Sequence, residues 1–359
     1  MYVVILAGGS GTRFWPVSRM SRPKQLISVF DGPTMLQRTV ERVLPMKPKR
    51  ILVVTNALQA EETERQLAIY RRRLPIEIVS EPVGRNTAPA IGLAAIIIAA
   101  HDPQAVMAVL PADHFIRDEE GLRDSLELAS VTARNGYLVT LGIEPTSPET
   151  GYGYIEAEIS MRGTGPYPVI RFVEKPPLEQ ALLYLQAGNF LWNSGMFVWR
   201  ADVILEEISK HAPELGEALD SLHFGGDVWD AADLVPQIDA IYPSLASQSI
   251  DYAVMEKSDR VKMVAADIGW SDVGSWSALP EVIQGDENLN VVVNTAAHLA
   301  VESTGCIVSG NNGIVATVGV DNLVVVSSGN CVLVCRKDRS QDVKAVVEQL
   351  QARGLQQYL

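Results

Sequence analysis

The 359-residue sequence has few cysteines: it contains only Cys306, Cys331 and Cys335. Their number is odd and no two of them stand at a CxxC spacing, which argues against a disulfide framework and indicates no zinc site. The sequence therefore predicts a protein of a reducing, cytoplasmic setting.

Long apolar runs and an excess of positive charge are also absent. The longest apolar run, residues 91–100, is about half the length needed to span a bilayer and is interpreted as a buried helix. The first ten residues, MYVVILAGGS, lack the charged start of a secretion signal. The net charge of −13 argues against a broad basic surface. We therefore expect neither a membrane nor a nucleic acid as a partner.

Apolar runs alternate with helical patterns over the first 140 residues. The runs are interpreted as buried strands, at residues 2–7, 50–55, 76–80, 105–110 and 137–142. The helix-like stretches lie between them, near residues 34–44, 57–70, 87–101 and 119–134. This alternation predicts an α/β fold with a Rossmann-like, mixed but mainly parallel sheet flanked by helices. The loops that follow the strands should meet at one sheet edge, where ligands bind in such folds.

The pattern changes after the stretch QGDENLN. Residues 290–337 consist of short β-rich pieces separated by turns, as in a small barrel, sandwich or β-solenoid. A terminal helix is predicted to follow, with Ser340 as its N-cap. We place a domain boundary near residue 284, which gives an N-terminal domain of residues 1–284 and a smaller C-terminal domain of residues 285–359.

One glycine-rich stretch, LAGGSGTRFWPVSRMSRPKQL at residues 6–26, contains cations and no acid. Its cations are Arg13, Arg19, Arg22 and Lys24. Glycines directly after a buried strand let backbone N–H groups approach phosphate oxygens. The stretch is not a Walker A loop, because no GK[ST] follows, and it lacks the third glycine of a dinucleotide-binding turn. It therefore predicts an anionic ligand, although Arg19 and Arg22 could equally be solvated loop residues.

Six further stretches accompany this loop along the chain. They are EPVGRNTAPA (81–90), LPADH (110–114), GYGYI (151–155), FVEKP (172–176), WNSGMF (192–197) and WSDVGSW (270–276). Together with LAGGSGTRFWPVSRMSRPKQ they resemble the ordered motifs of sugar-1-phosphate nucleotidyltransferases, and within that family the bacterial mannose-1-phosphate guanylyltransferases. The resemblance covers residues 1–280.

The resemblance implies that mannose 1-phosphate attacks the α-phosphorus of GTP, which gives GDP-mannose and releases pyrophosphate. Because every reactant is an anion, catalysis would consist mainly of alignment and charge neutralisation. Arg13 would brace the triphosphate and the leaving pyrophosphate, and Lys24 would place a point charge at the α-phosphoryl group. The loop residues assigned to nucleotide binding are Leu6, Ala7, Gly8, Gly9, Gly11 and Thr12.

Two aspartates match the family's metal-binding positions. Asp113 follows the strand predicted at 105–110, at the sheet edge where the glycine loop should lie, and Asp272 follows a Trp-Ser turn. Mg²⁺ takes one or two carboxylates and completes its shell with phosphate oxygens and water. Read with the resemblance, Asp113 and Asp272 are expected to hold Mg²⁺, with Asp113 also close to the sugar phosphate.

The stretch SEPVGRNTAPA combines a helix start with possible base recognition. Asn86 or Thr87 could simply cap the following helix, but the resemblance also assigns both to the nucleotide site. Guanine presents N1–H and N2–H₂ side by side, which the carboxylate of Glu81 could accept together. Arg85 could meet O6 and N7 or a phosphate. The main chain of the loop could instead read the base.

The remaining motifs are assigned to the sugar phosphate. By resemblance, Glu174 binds sugar hydroxyls and Lys175 the sugar phosphate. Gly153 allows close approach of the backbone, and Asn193 bonds hydroxyls, although a satisfied turn amide is the alternative for Asn193. Trp192, Trp270 and Trp276 are interpreted as packing residues rather than as stacking platforms.

The C-terminal part carries two further expectations. Its β-rich pieces resemble the short left-handed β-helix of family members, where subunits often meet, and this implies a homodimer. Many bacterial relatives carry an additional isomerase domain with zinc-binding histidines. The five histidines of this sequence are not paired at ligand spacing, so we predict no phosphomannose isomerase activity.

Three other functions compete with this interpretation. The same chemistry on glucose 1-phosphate with UTP or dTTP would favour an amide in the 81–87 loop, where this chain has Glu81 and Arg85. A non-catalytic regulatory relative would tend to lose the loop cations or the metal carboxylates, which are present here. An NAD-dependent oxidoreductase is disfavoured because the third glycine and a ribose-binding acid are missing.

Overall fold

The structure, a computed structural model, describes residues 1–9, 11–30, 32–159, 163–224, 229 and 234–359. Its larger part contains nine strands: β1 Tyr2–Leu6, β2 Ile51–Asn56, β3 Ile76–Glu81, β4 Val106–Pro111, β5 Leu138–Ile143, β6 Tyr154–Ala157, β7 Tyr167–Val173, β8 Phe190–Arg200 and β9 Val261–Ala265. These described strands form one sheet in the order β3-β2-β1-β4-β8-β5-β9-β7-β6, in which β6 also pairs with β8.

The helices of the larger part surround this sheet. They are α1 Met35–Val43, α2 Ala60–Leu67, α3 Thr87–His101, α4 Glu119–Ala133, α5 Leu178–Ala187, α6 Ala201–His211, α7 Pro213–Asp220, α8 Val235–Ile241 and α9 Leu279–Val282. Shorter pieces are 3₁₀ helices at Thr12–Phe14, Lys24–Leu26, Leu44–Met46, Tyr242–Ser244 and Trp276–Ala278, and a π-helix at Asp251–Met255.

The N-terminal half of the sheet is parallel. Strand β1 pairs in parallel with β2 and β4, and β2 pairs in parallel with β3. Neighbouring side chains of a strand point to opposite faces, and here both faces are covered: Val4 belongs to one apolar cluster and Val3 to another. This burial on both faces explains the continuous apolar runs of the sequence. The parallel strands bring the loops after β1, β3 and β4 to the same sheet edge.

Strand β8 is the antiparallel element that joins the two halves. It pairs antiparallel with β4 on one side and with β5 on the other. Strand β6 also runs antiparallel to β8, and β7 lies between β6 and β9 and pairs antiparallel with both. The predicted fold class, a mixed α/β sheet flanked by helices with a β-rich C-terminal part, is confirmed.

The apolar run at residues 91–100 lies within α3, as expected, and its side chains pack in the core beside the parallel strands. Of the helices that the structure describes, none combines the length and the apolar character needed to cross a membrane.

The C-terminal part is a short solenoid. It contains β10 Val291–Val293, β11 Ala297–Val301, β12 Ile307–Ser309, β13 Ile314–Val318, β14 Leu323–Ser328 and β15 Cys331–Arg336, followed by a 3₁₀ helix at Lys337–Asp342, α10 Val343–Ala352 and a 3₁₀ turn at Gln356–Tyr358. Strands β10, β12 and β14 stack in parallel, and β15 returns antiparallel. Strands β11 and β13 form a second parallel stack. The predicted N-cap is wrong, because Ser340 is buried among serine hydroxyls and Asp342 precedes α10.

The solenoid shares a core with the cation-rich loop. Phe14 and Trp15 of the loop belong to the same apolar cluster as Trp276, Ile307 and Val324. The indole N–H of Trp15 also donates to the backbone oxygen of Tyr358 over 2.9 Å. The C-terminal part therefore supports the loop that carries the predicted catalytic cations.

Candidate active site

A cavity of about 410 Å³ opens at the edge of the sheet where β1, β3 and β4 end. It extends from the glycine loop to the residues that follow β7 and to the middle of β8. Most of the residues singled out from the sequence line it: Leu6, Gly8, Gly9, Glu81, Asn86, Thr87, Asp113, Gly153, Glu174, Asn193 and Asp272. Motifs that are far apart in the sequence thus meet around one space.

Side chains behind the glycine loop hold its carbonyl groups. Gln25 is buried and donates to the backbone oxygens of Ala7 and Gly9 over 2.7 and 2.8 Å. Asn56 donates to the oxygen of Gly8 over 3.3 Å. Within the described residues, the N–H groups of Gly8 and Gly9 donate to no other group. They are therefore available to an anion in the cavity, as expected for a phosphate-binding nest.

Lys24 connects the cation-rich loop with both predicted metal ligands. Its side chain is buried, and its Nζ lies 3.0 Å from Asp113 Oδ2 and donates to the backbone oxygen of Asp272. Burial alone would raise the pKa of Asp113, but the Lys24 ammonium and the His114 ring outweigh it and lower this pKa. The Asp113 carboxylate is therefore ionised at neutral pH and available as an oxygen ligand.

The carboxylate of Asp272 is oriented from two sides. The hydroxyl of Tyr152 donates to Asp272 Oδ1 over 2.8 Å, and the N–H of Gly274 donates to the same oxygen over 3.0 Å. Tyr152 itself packs edge-on against the rings of Trp192 and Trp270. The predicted packing role of these tryptophans thus includes fixing the tyrosine that orients Asp272. Tyr152 lies within the GYGYI stretch, but its role was missed.

His114 is a packed neighbour of this site. Its Nδ1 accepts a hydrogen bond of 3.1 Å from the indole N–H of Trp270. Burial lowers the pKa of His114 to about 4, which makes its ring neutral at pH 7. The ring therefore acts as a neutral hydrogen-bond acceptor that packs beside Asp113.

Asp113 and Asp272 have the donor chemistry that a hard divalent cation requires. Both carboxylates line the cavity, and Lys24 contacts both residues. In the described part of the chain, no cluster of three or more His, Cys, Asp or Glu side chains could hold a metal ion. A cation here would therefore have two carboxylates and take its other ligands from phosphate oxygens and water.

Glu81 forms the wall of the cavity beside the glycine loop. Its Oε2 lies 3.1 Å from the position that a Cβ on Gly8 would occupy. Its Oε1 meets no full hydrogen-bond geometry among the described residues, but the buried Tyr242 hydroxyl is close enough to favour the charged form of the carboxyl group, an effect smaller than that of burial. Burial raises the pKa of Glu81 to about 7. This carboxyl group can therefore receive N–H groups of a ligand at the end of β3.

The other residues of the 81–87 loop face structural partners. Arg85 does not line the cavity, because its guanidinium donates to the backbone oxygens of Tyr242 and Pro243. Asn86 has a left-handed φ of 69° and accepts from the N–H of Thr87 over 2.9 Å, which makes it the N-cap of α3. Both Asn86 and Thr87 line the cavity as well, so the capping and ligand-binding interpretations are compatible.

The far end of the cavity is built around Asn193. Its Oδ1 accepts from the Thr140 hydroxyl and the Gly195 N–H, each over 3.2 Å, and its Nδ2 donates to Asp251 Oδ1 over 2.7 Å. The amide is thus satisfied by the protein and also lines the cavity. Asp251 was missed, because it stands in none of the motifs that carried the resemblance.

Glu174 and Gly153 complete this end. A Cβ on Gly153 would lie 2.5 Å from Glu174 Oε2, so only glycine fits beneath this carboxylate. Lys175 pairs with Glu174 over 2.7 Å, and its exposed side chain does not line the cavity.

The four cations of the N-terminal stretch have different partners. Arg13 is exposed and forms no hydrogen bond or ion pair with the described residues. Arg19 donates to the backbone oxygen of Tyr358 over 2.7 Å, and Arg22 lies 3.8 Å from Glu62. Lys24 holds the two aspartates. The stretch is therefore divided between residues available to an anion and residues that anchor the loop.

The other loop residues assigned to the site do not line the cavity. They are Ala7, Gly11, Thr12, Arg13 and Lys24. Gly11 has a left-handed φ of 52° and precedes the 3₁₀ helix Thr12–Phe14, which carries Arg13.

Known proteins share this architecture and sequence. A model of the nucleotidyl transferase family matches residues 2–288, and a model of the MannoseP isomerase/GMP-like beta-helix domain matches residues 296–350. A mannose-1-phosphate guanylyltransferase of Klebsiella pneumoniae is 42% identical over 362 residues, which cover 99% of this chain and 75% of the relative. One from Escherichia coli has the same identity and coverage.

A solved structure gives the same result. The crystal structure named as a "mannose-1-phosphate geranyltransferase" from Thermus thermophilus superposes with a TM-score of 0.86 at 37% identity, covering 98% of this chain and 99% of that one. These matches confirm the resemblance drawn from the seven motifs. The chain therefore belongs to the nucleotidyl transferase family and, within it, to the mannose-1-phosphate guanylyltransferases.

Proposed function

We propose that this protein transfers a guanylyl group from GTP to mannose 1-phosphate, which yields GDP-mannose and pyrophosphate. The names of the similar enzymes support this pair of substrates. The observation that carries the proposal is that one cavity is lined by the glycine loop, by the two aspartates and by the Glu174–Asn193 end. These are the three surfaces that a triphosphate, a metal ion and a sugar phosphate require.

The reaction is a displacement at the α-phosphorus. An oxygen of the mannose 1-phosphate dianion forms a bond to this phosphorus, the bond from the phosphorus to the bridging oxygen of the β-phosphate breaks, and pyrophosphate leaves with that electron pair. The nucleophile is already ionised, so no general base is needed. The protein has to align the two anions and offset their repulsion.

The N-terminal loop would hold the triphosphate. The N–H groups of Gly8 and Gly9 and the guanidinium of Arg13 have no partner among the described residues. The N–H groups are suited to phosphate oxygens, and Arg13 is suited to the β- and γ-phosphates and to the leaving pyrophosphate. Lys24 would contribute its charge next to the α-phosphoryl group, from its position against Asp113.

We infer that Mg²⁺ is the metal ion. Family members generally use a divalent metal, and Asp113 and Asp272 offer the oxygen ligands that Mg²⁺ prefers. When bound, Mg²⁺ supplies positive charge to the phosphate oxygens of the substrates. Tyr152 and Gly274 keep one oxygen of Asp272 in a fixed direction for this purpose.

Base and sugar would occupy opposite ends of the cavity. The Glu81 carboxyl group, at the Gly8 end, is placed to accept the N1–H and N2–H₂ groups of guanine. Glu174 and Asn193 would contact the sugar hydroxyls, and Lys175, which is exposed and pairs with Glu174, would reach the sugar phosphate. Arg85 supports the loop through the backbone of Tyr242, so we assign it no direct contact with guanine.

We also propose that the protein is a homodimer. The β11–β13 stack supports the dimer, because it exposes a row of apolar side chains: Leu299, Val301, Ile314 and Val318.

We further propose a cytoplasmic location and a domain boundary near residue 284. The cytoplasm is where GTP and sugar phosphates are available. A boundary near 284 would fall between the end of α9 and the start of β10.

The test is pyrophosphate release measured on a grid of nucleotides and sugar phosphates in the presence of Mg²⁺. GTP, ATP, UTP and dTTP are each combined with the 1-phosphates of mannose, glucose and N-acetylglucosamine. We expect the maximum at GTP with mannose 1-phosphate, its loss in Asp272→Ala, and its retention in Asp267→Ala, which removes an exposed carboxylate outside the cavity. A maximum elsewhere would overturn the substrate pair, and no turnover in any combination would favour a regulatory relative.

A further inference from the structure

The sugar end of the cavity contains a second carboxylate, that of Asp251. It lines the cavity together with Glu174 and Asn193. Asp251 is the first residue of the π-helix Asp251–Met255, which follows the 3₁₀ helix Tyr242–Ser244. Single-turn π-helices are rare and occur frequently at functional sites. Here the turn brings a carboxylate to the cavity from a segment whose sequence carries no recognised motif.

One oxygen of Asp251 is held by the protein. The Asn193 Nδ2 donates to Asp251 Oδ1 over 2.7 Å. The direction of the Asn193 amide is itself fixed, because its Oδ1 accepts from the Thr140 hydroxyl and the Gly195 N–H. The carboxylate therefore stands in a defined orientation relative to β8, before any ligand binds. Such preorganisation is what selective recognition of a hydroxyl group requires.

The charged form of Asp251 is favoured by hydrogen bonds from Asn193 and Ser249 rather than by a close ion pair with any described residue. In the described residues, no Lys or Arg forms an ion pair with it, since the nearby Lys175 pairs with Glu174. Burial raises the pKa of Asp251 to about 6, and the negative charge of Glu174 adds to this effect. A carboxylate in this position gains from ligand groups that donate hydrogen bonds, and neutral sugar hydroxyls are such groups.

We propose that Asp251 accepts a hydrogen bond from a hydroxyl group of the sugar 1-phosphate and thereby helps the enzyme to select its sugar. The proposal rests on the proposed function and names a specificity residue of the same site. Glu174 and Asp251 would then act as two acceptors that face different hydroxyls, while Asn193 sets the direction of Asp251. Asp251 takes no part in the bond-breaking step, which occurs at the α-phosphorus.

The variant Asp251→Asn isolates this contact. An asparagine of the same shape can still accept from Asn193 through its Oδ1, so the internal hydrogen bond is retained. Its other arm becomes an NH₂ group, which cannot accept a hydroxyl proton. Glu256→Gln is the matched control, because it removes an exposed carboxylate one turn further along the same segment and outside the cavity.

The experiment measures kcat and KM for both substrates, and the affinities for GDP-mannose and GDP by calorimetry. We expect Asp251→Asn to raise KM for mannose 1-phosphate by about 10- to 100-fold, as for the loss of a hydrogen bond to a charged acceptor. KM for GTP and the affinity for GDP should change less than about twofold, which is within the spread of surface substitutions. The affinity for GDP-mannose should fall until it is close to the affinity for GDP. Glu256→Gln should behave as the unmodified protein.

A series of monodeoxy mannose 1-phosphates separates recognition from a structural role. If Asp251 binds one hydroxyl, removing this hydroxyl raises KM in the unmodified enzyme but has little further effect in Asp251→Asn, so the two losses do not add. If the losses add for every analogue, or if KM for GTP rises as much as KM for mannose 1-phosphate, the proposal is wrong. Additive losses in an active enzyme leave the proposed function intact, whereas an inactive unmodified enzyme contradicts that function instead.

Discussion

A Cβ atom on Gly11 would lie 2.5 Å from the backbone nitrogen of Lys24 and 2.9 Å from its Cβ. The beginning and the end of the cation-rich loop therefore touch at a point where no side chain fits. Gly11 also has a φ of +52°, a left-handed conformation that glycine adopts at little cost. This contact brings Arg13, two residues later, and Lys24 to the same edge of the sheet.

Replacing Gly11 with alanine should displace the backbone of Lys24 and disturb its contacts with Asp113. We expect kcat/KM to fall by roughly 100-fold, since displacements of about 1 Å in an active site have effects of this size. Gly329→Ala is the control, because Gly329 has a similar φ of +57° but open space around its Cβ position. It should lose about 1 kcal/mol of unfolding free energy and keep its activity. Equal activity of the two variants would contradict the argument.

The different partners of the loop cations lead to a second prediction. Arg13 has no partner among the described residues, whereas Arg22 lies near Glu62 with a half-exposed side chain. Arg13→Ala should lower kcat/KM by about 100- to 1,000-fold, the range for loss of a group that stabilises a transition-state charge. Arg22→Ala should change it less than about threefold, because exposed ion pairs contribute little. Steady-state kinetics of both variants tests this. If kcat/KM falls to a similar extent in both, Arg22 contacts a ligand and the prediction is wrong.

The apolar face of the solenoid leads to a third prediction. Leu299 and Ile314 lie on the exposed face of the β11–β13 stack, with 56% and 69% of their surface accessible. If two copies meet there, Leu299→Asp should place a charge in the interface and yield a monomer of 39.1 kDa by light scattering. Val332→Asp, on the exposed surface of β15, should leave the dimer unchanged. A monomeric unmodified protein, or a dimer in all three samples, would reject this interface.

The strands of the parallel half could be predicted to within one residue at each end. Strands β1, β2 and β4 are buried on both faces, so each one appears in the sequence as a nearly continuous apolar run, whereas the edge strand β3 is only partly buried and contains Glu77 and Ser80. The helix predicted at residues 57–70 was less accurate, because only Ala60–Leu67 is helical. Helix ends depend on local caps, and Gln59 at this N-terminus makes no side-chain cap.

The candidate site could be predicted where a motif named its residues and not where it depends on long-range contacts. Asp113 and Asp272 were found by their motifs. Asp251 was not, because its place in the cavity is visible only through its hydrogen bond with Asn193, which is 58 residues away in the sequence. Arg19 also has a partner that is far away in the sequence. Its guanidinium donates to the backbone oxygen of Tyr358, and a backbone carbonyl leaves no signal in a sequence.

The Glu81 carboxyl group should make the protein less stable and at the same time bind GTP. Burial raises its pKa from the usual 4.5 to about 7, so the folded protein retains the proton that the unfolded chain releases near pH 4.5. Between these two pH values the unfolded chain binds fewer protons at Glu81 than the folded protein does. The free energy of unfolding therefore falls as pH rises through this range. Relative to the unmodified protein, Glu81→Gln should have the same free energy of unfolding near pH 4.5. Above pH 7 its free energy of unfolding should be higher by about 1–3 kcal/mol.

Glu81→Gln should stabilise the fold above pH 7 but weaken the binding of GTP. The ionised carboxylate can accept both N1–H and N2–H₂ of guanine, whereas glutamine presents a donor to one of them. We expect Glu81→Gln to raise KM for GTP by about 10- to 100-fold at pH 8, and this ratio to shrink below pH 7, where Glu81 becomes protonated. The triphosphate of GTP titrates in the same way with either enzyme. The ratio of KM for GTP in Glu81→Gln to KM for GTP in the unmodified protein therefore reports Glu81 alone.

Two controls make the Glu81 result decisive. Glu77→Gln removes a carboxylate from the same strand, β3, where it pairs with Arg50 outside the cavity. It should leave KM for GTP unchanged at every pH. If Glu81→Gln is more stable at pH 8 but binds GTP normally, the carboxylate is a buried charge without a role in base recognition, and the main chain of the 81–87 loop must read the guanine. If KM for GTP rises without any gain in stability, the Glu81 carboxylate is already compensated before the nucleotide binds.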